Sequence, residues 1–333
     1  MKAAWVSEGK GIESLKVEAI DVPPPSPGEA QVRLHCATLN FRDLIVAKGL
    51  LIAMDLTGGA NRRIPMSCAT GVVTAVGAGV SRVRPGDRVN PIFAQGWLHG
   101  REPTMAMLGG RHDGVARQLA NFDAESLAIV PDELGDLEAA TFTCAGLTAW
   151  NALFLDRPLQ PGEWVLCHGT GGVSLAAMQF AKAHGAHVIL TSSSDAKLRR
   201  GKAMGADVTL NYRTDPDWAS KARAASGGVA IVVDVAGAEQ LEANAATLAD
   251  DGIIAAIGML QSEFSWSRIG STPARIVPIN VGNRDEHEAM LAFSARHGIR
   301  PVVDVVYDLD RIADAYRHLE GGRFFGKVGI NLL

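Results

Sequence analysis

A chain of 333 residues, with 36 acidic against 32 basic side chains and a formal net charge of −4, is too long for one small core and fits two domains. That weakly acidic balance offers no basic surface to neutralise phosphates, so nucleic acid is excluded as a partner. No stretch reaches about 18 uninterrupted apolar residues and no apolar leader follows Met1, which excludes a membrane and leads us to expect a cytoplasmic protein.

From Lys2 to about Phe122, short β-rich segments punctuated by turn residues predict an all-β domain. Residues 30–37, after the Pro-rich stretch 22–28, and residues 71–77 read as strands, and residues 83–89 read as a turn between two strands. After about Leu137 the texture changes to apolar run, Gly-rich turn and amphipathic helix in alternation, which predicts a parallel sheet with crossover helices. Strands are expected at 164–168, 187–190, 208–210, 231–235 and 253–257, and helices at 173–184, 195–204, 217–225 and 241–248. An extended stretch at 275–281 and a last strand at 327–332 follow. The four cysteines (Cys36, Cys68, Cys144 and Cys167) are scattered without a C-x-x-C pair and read as reduced thiols.

Gly169-Thr170-Gly171-Gly172-Val173-Ser174 follows an apolar strand and opens a helix, where a pyrophosphate-binding turn belongs. Glycines there let the backbone turn tightly and approach phosphates, while the helix N-terminus supplies N–H groups and a partial positive charge. Read as G-x-G-x-x-G, the segment departs at its last position, where Ser174 stands, so alone it fits an ordinary strand-to-helix turn as well. About 20 residues beyond the turn, an NAD enzyme carries an acidic residue on the ribose 2′-hydroxyl. Ser192 stands at that point. A carboxylate would repel a 2′-phosphate, whereas a hydroxyl can donate to it, and Lys197, Arg199 and Arg200 follow on the next helix to pair with its charge. NADP(H) is therefore favoured over NAD(H). The two arginines fit a solvated helix face equally well.

Further landmarks are Leu39-Asn40-Phe41-Arg42-Asp43-Leu44, Ala69-Thr70-Gly71-Val72-Val73, Pro85-Gly86-Asp87-Arg88-Val89, Cys144-Ala145-Gly146-Leu147-Thr148-Ala149-Trp150, Asn211-Tyr212-Arg213 and Phe325-Gly326-Lys327-Val328. In this order and spacing they resemble the medium-chain dehydrogenase/reductases, specifically the zinc-free branch near the quinone oxidoreductases, over essentially the whole chain. The resemblance implies an α/β architecture: a Rossmann doubly wound parallel sheet over 136–283, and a GroES-like β-barrel substrate domain over 1–135 and 284–333. It implies that Lys197 and Tyr212 hold the 2′-phosphate, although Tyr212 also fits a plain boundary residue. Asn40 and Thr148 would face the nicotinamide end, as the catalytic and cofactor-binding pair. Ala236, Gly237, Ile257, Gly258, Val281 and Gly282 would lie along the cofactor, and Lys327 would reach a phosphate. For these glycines, turn geometry alone is an equal reading. The resemblance also implies a homodimer formed by edge pairing through residues 275–281, whose internal Pro278 suits an edge strand.

In the zinc alcohol dehydrogenases of this superfamily a cysteine, a histidine and a second cysteine hold the catalytic metal. The corresponding positions read Asn40, Ser67 and Cys144, and the glutamate that follows the histidine is Cys68. Only Cys144 is a competent ligand, so no metal is expected and Cys144 reads as a small buried apolar residue. The stretch 90–114, where a structural zinc would need four cysteines, contains none. His184 and His187 read as complements of a helix end.

Without a metal, hydrogen-bond donors must stabilise charge on the substrate oxygen; one such donor typically contributes about 2.7–4 kcal/mol. This favours an activated C=C bond or a quinone as hydride acceptor, in a small uncharged or weakly polar molecule, with residues 48–64 and 95–110 lining its pocket and hydride crossing between domains. Arg42 and Asp43 match a family pair and read as a structural ion pair or as catalytic. Two rivals stay open: a metal-free alcohol or carbonyl oxidoreductase, and a non-enzymatic NADPH-binding protein.

Overall fold

The computed structural model describes residues 1–7, 9–49, 61–237, 240–258 and 273–333. In chain order its first half contains β1 (Lys2–Ser7), β2 (Lys16–Ala19), β3 (Glu29–Thr38), α1 (Phe41–Ala47), β4 (Arg62–Arg63), β5 (Cys68–Val76), β6 (Arg88–Pro91), β7 (Leu119–Asp123), β8 (Leu127–Ile129), α2 (Asp136–Thr141) and, after a π-helical turn at Phe142–Gly146, α3 (Leu147–Phe154). There follow β9 (Trp164–His168), α4 (Gly172–Ala183), β10 (His187–Ser192), α5 (Asp195–Ala203), β11 (Val208–Asn211), α6 (Trp218–Ser226), β12 (Val229–Asp234), α7 (Leu241–Thr247), β13 (Leu248–Ala256) and β14 (Arg275–Pro278). The last elements are α8 (Arg284–Arg296), β15 (Val303–Asp308), α9 (Ile312–Glu320) and β16 (Lys327–Asn331).

The chain divides into two compact units, Met1–Leu147 with Gly282–Leu333, and Thr148–Val281. The first break lies beyond the expected 135/136 because of electrostatics at the start of α2. There Asp136 accepts from the Arg88 guanidinium of β6 at 2.6 Å and meets His35 Nδ1 of β3 at 2.7 Å, which holds its carboxyl below the usual range despite partial burial. Helix α2 therefore packs on β3 and β5 as part of the first unit.

In the first unit a sheet runs β15-β16-β3-β5-β6-β8, with β7 also paired to β3, and a smaller sheet runs β2-β1-β4. Alternation writes β3: Ala30, Val32 and Leu34 are buried and join Val73, Val89, Phe122, Val328 and Ile330 in one core, while the residues between them face outward. The expectation of an all-β domain is corrected by α1. Asn40 precedes it and its backbone N–H donates to Asp43 Oδ2 at 2.7 Å, a local cap that converts Leu44 to Ala47 into a buried helical face.

The second unit is a six-stranded sheet in the order β11-β10-β9-β12-β13-β14, all parallel. Numbered within the unit, this is third, second, first, fourth, fifth, sixth, the strand order of dinucleotide-binding folds. Every residue of β12 is buried, as a central strand covered on both faces requires. Strands β12 and β13 begin earlier than expected, because Val229 pairs with Leu248 before an irregularity leads to Ile231 opposite Ile253; the polar Asp250 and Asp251 in between obscure that extension. Strand β14 ends at Pro278, earlier than the expected 281, and lies at the sheet edge.

Candidate active site

The turn after β9 is built for a ligand rather than for packing. Gly169 has φ +72°, a conformation that side chains resist, and a Cβ at Gly169 or Gly171 would meet nothing within 4 Å. Helix α4 starts beyond Gly171 without a side-chain cap, leaving its N-terminal dipole to an incoming anion. The departure from glycine at Ser174 has a structural cause: its buried hydroxyl donates to the His168 carbonyl and ties the helix start to the end of β9. His168 is itself locked, with Nε2 on Asn244 Oδ1 at 2.6 Å and Nδ1 on Thr191 Oγ1 at 2.9 Å, and burial holds it neutral. Thr170 and Val173 lie in the same turn, Thr170 nearly buried.

Ser192 ends β10 in register with Asn211, which ends β11, so Ser192 and Tyr212 sit at the same edge of the sheet. Ser192 is buried and its Oγ accepts from Ser194 N at 3.2 Å; Tyr212 is exposed. Ser194 caps α5 by accepting from the backbone N–H of Lys197, which places Lys197 in the first turn above these strand ends. Asp195 adds a carboxylate to this corner, and Asn211 Nδ2 engages it at 2.6 Å.

At the next strand ends the glycines answer mainly to the fold. Asp234 Oδ1 accepts from the backbone N–H of Ala236 at 2.8 Å and of Gly237 at 3.1 Å, and a Cβ on Gly258 would stand 2.5 Å from the Val235 backbone. Ile257 N–H donates to the Asp234 carbonyl, so the ends of β12 and β13 are tied together. The Val281 carbonyl accepts from Asn151 Nδ2 at 3.0 Å, and Gly282 takes φ +142°. Thr148 is buried in the first turn of α3.

In the first unit the four positions compared with zinc ligation come together. Asn40 Nδ2 donates to Cys68 Sγ at 3.0 Å and reaches Ser67 Oγ at 3.5 Å, and the Cys144 thiol bears on Cys68 electrostatically. Lys327 completes the cluster: only 4% exposed, its Nζ donates to Asn40 Oδ1 at 2.5 Å. Lys327, expected at a phosphate, is held here by Asn40. Cys144 sits half-buried on the π-helical turn, and its thiol is held well above the ordinary range, so it stays neutral. Burial raises the Cys68 pKa, but the Cys144 thiol, the Lys327 charge and the Asn40 amide outweigh it and bring Cys68 down to about 6, while Cys144 goes well up. The isolated buried thiols Cys36 and Cys167 are pushed up to about 12. The resemblance groups Asn40, Ser67, Cys68 and Cys144 at one site but does not place Lys327 with them.

Around this cluster, Arg42 donates to the Leu108 carbonyl at 2.8 Å and lies over the Phe93 ring, and Asp43 is buried against the Asn40 backbone with its carboxyl raised by burial. Both read as positioning α1. Trp97, expected in the pocket wall, is buried with its indole N–H on the Gly100 carbonyl at 3.0 Å. Most of the other expected pocket segment, residues 50–60, lies outside the described residues. His184 stands at the C-terminal cap of α4, as expected, and meets Phe154 edge-on, while His187 stacks on Trp164.

These residues do not fit a catalytic zinc ion. An amide and a hydroxyl occupy two of the three ligand positions, a buried ammonium stands beside them, and among the described residues no group of three His, Cys, Asp or Glu side chains could hold a metal. The dinucleotide turn, by contrast, fits a nicotinamide cofactor's pyrophosphate through its open glycines and uncapped helix.

A dinucleotide-ordered sheet and a separate, mainly antiparallel unit define a two-domain oxidoreductase. Residues 26–132 match the alcohol dehydrogenase GroES-like domain family and residues 172–296 the zinc-binding dehydrogenase family. A zinc-type alcohol dehydrogenase-like protein of Schizosaccharomyces pombe is 38% identical over 341 residues, covering 98% of this chain and 97% of its own. Among solved structures, a Sinorhizobium meliloti 1021 protein assigned to the alcohol dehydrogenases has 36% identity and TM-score 0.89, covering 99% of this chain and 98% of that one. An NAD-dependent alcohol dehydrogenase has 33% identity and TM-score 0.89, covering 99% of each chain. The chain belongs to the medium-chain dehydrogenase/reductase superfamily and is an oxidoreductase of that family.

Proposed function

We propose that this protein is a zinc-independent, NADP(H)-dependent oxidoreductase that transfers hydride to an activated C=C bond or a quinone. The observation that carries the reading is Lys327, a buried ammonium hydrogen-bonded to Asn40 among the positions compared with zinc ligation. Of its three N–H donors one is spent on Asn40, leaving two for a substrate oxygen. A fixed cationic donor serves a substrate whose negative charge spreads into an enolate or a hydroquinone anion, where one aimed donor contributes about 2.7–4 kcal/mol.

The Gly169–Gly172 turn and the first N–H groups of α4 hold the pyrophosphate, and Ser192, Lys197 and Tyr212 take the 2′-phosphate. Thr148 and Asn40 orient the nicotinamide end. The cofactor, when bound, supplies hydride. Asn40, held by its contacts to Cys68 and Lys327, keeps a single orientation, so alignment costs little on binding. The partner is a small uncharged or weakly polar molecule, and the functional form is a cytoplasmic homodimer joined along the β14 edge. Among the described residues no helix is long and apolar enough to cross a membrane.

A second reading, a metal-free alcohol or carbonyl oxidoreductase, is supported by the 33% identity to an NAD-dependent alcohol dehydrogenase. NADPH oxidation assayed against quinones, enones, aldehydes and ketones, with and without chelator, separates the two. We expect turnover of enones or quinones that a chelator leaves unchanged. Turnover confined to simple ketones would favour the second reading, and activity that depends on added zinc would sink both.

A further inference from the structure

The segment that carries Ser67 and Cys68 into the Asn40 cluster is entered through an unusual residue. Met66 takes φ +70°, the one residue other than glycine with a positive φ among the described residues, and its side chain is fully buried. L side chains rarely adopt this left-handed conformation, because Cβ crowds the following carbonyl oxygen, and they keep it only where the surroundings fix it. Here those surroundings are backbone. Gly114 N–H donates to the Ile64 carbonyl at 2.7 Å, Ala116 N–H to that of Pro65 at 3.1 Å and Val115 N–H to that of Met66 at 3.0 Å. A Cβ on Gly114 would run into the Met66 oxygen, and one on Gly109 would stand 2.8 Å from it, so both glycines press directly on the turn.

What the turn accomplishes shows in the next two residues. Successive side chains of an extended strand point to opposite faces, yet Ser67 and Cys68 both address one amide. Asn40 Nδ2 lies 3.0 Å from Cys68 Sγ and 3.5 Å from Ser67 Oγ, and Ser67 Oγ is 3.7 Å from Cys68 Sγ. A left-handed residue immediately before them supplies that departure from strand geometry. The polarity of the amide is fixed from its other end. An ammonium can only donate, so Lys327 requires the Asn40 oxygen and turns the NH2 group towards Ser67 and Cys68. We infer that Met66 is a positioning residue for hydride transfer: its left-handed backbone brings Ser67 alongside Cys68 at the Asn40 NH2 group and thereby fixes the amide that holds Lys327. The inference rests on the role proposed above for Asn40 and Lys327, and it gives the unfavourable backbone of Met66 a purpose.

The test compares two substitutions that packing and backbone geometry rank in opposite orders. Met66→Gly removes a fully buried side chain but accepts φ +70° freely, whereas Met66→Ile keeps most of the side-chain volume but, being β-branched, resists that conformation. Two readouts are taken on the full chain: the Asn40 side-chain NH2 resonance in protein made with isotope-labelled asparagine, assigned by its loss in Asn40→Asp, and kcat with the parent's best acceptor beside the Kd of NADPH. We expect Met66→Gly to keep the Asn40 signal in place and kcat within about threefold, and Met66→Ile to move the signal and lower kcat about tenfold or more with the Kd of NADPH unchanged. Ser67→Ala leaves the Met66 backbone alone; it should move the same signal and lower kcat about threefold, and it carries the test if Met66→Ile does not fold. A packing role predicts the reverse order, with Met66→Gly the more damaged, and that result would overturn the inference, as would an Asn40 signal unmoved in Met66→Ile or in Ser67→Ala. If Lys327→Met leaves kcat unchanged, the hydride-transfer reading fails instead, while the Asn40 signal still decides whether Met66 positions the amide.

Discussion

Ser192 decides between cofactors by what it lacks. A carboxylate in its place would meet a 2′-phosphate at close range, where like charges repel, and Ser192→Asp should reverse the preference, raising the Kd for NADPH at least tenfold and lowering that for NADH. Lys197→Ala should weaken NADPH about tenfold and leave NADH unchanged, as read by fluorescence titration; equal affinities in the parent protein would refute the phosphate assignment. Lys327 is a different kind of residue. If its ammonium stabilises an oxyanion, Lys327→Met should lower kcat by about 10²–10³-fold with little change in NADPH affinity, whereas a phosphate contact would raise the Kd instead. Titration of binding beside turnover separates these outcomes.

Elements carry the next set of constraints. Restoring the G-x-G-x-x-G pattern through Ser174→Gly should not improve the protein but destabilise it, by about 1–2 kcal/mol. It deletes the hydroxyl's bond to the His168 carbonyl and places glycine in the first turn of α4. A melting temperature equal to the parent's would show that this hydroxyl does not hold the turn. The Rossmann unit was legible in the sequence because its strands, turn and helices are local patterns: apolar run, glycine, amphipathic stretch. Helix α1 was not, since seven residues in a β-rich context give too short a period, and its cap is the pair Asn40 and Asp43. The cluster was half legible. Asn40, Ser67, Cys68 and Cys144 were visible as departures from a ligand set, but Lys327 comes from β16, and only the antiparallel pairing of β16 with β3 brings it to Asn40.

For the molecule as a whole, stability should depend on pH through His287. It is fully buried in α8, neither ring nitrogen has a hydrogen-bond partner, and burial lowers its pKa from the ordinary 6.5 to about 3. Between those values the unfolded chain binds a proton that the folded one refuses, so stability falls as pH falls from about 6.5 towards 3, by up to about 1.4 kcal/mol per pH unit. Above 6.5 the group contributes no pH dependence. His287→Leu should flatten this part of the melting profile relative to the parent; parallel profiles would show that His287 does not titrate as described. A bound cofactor raises the melting temperature by mass action, so NADPH should shift it more than NADH at equal concentration. Solution scattering tests the β14 dimer, and a monomeric mass would remove it.

The placement of β16 between β15 and β3 has a consequence in time. Residues 148–281 form an uninterrupted unit that can close as soon as they are synthesised, while the main sheet of the first unit lacks the strand that joins β15 to β3 until residues 327–331 arrive. The later-made strand therefore acts as a completion signal. The cation that tunes Asn40 and Cys68 is delivered in the same step that closes the sheet, so an unfinished chain carries a cofactor platform but no armed site.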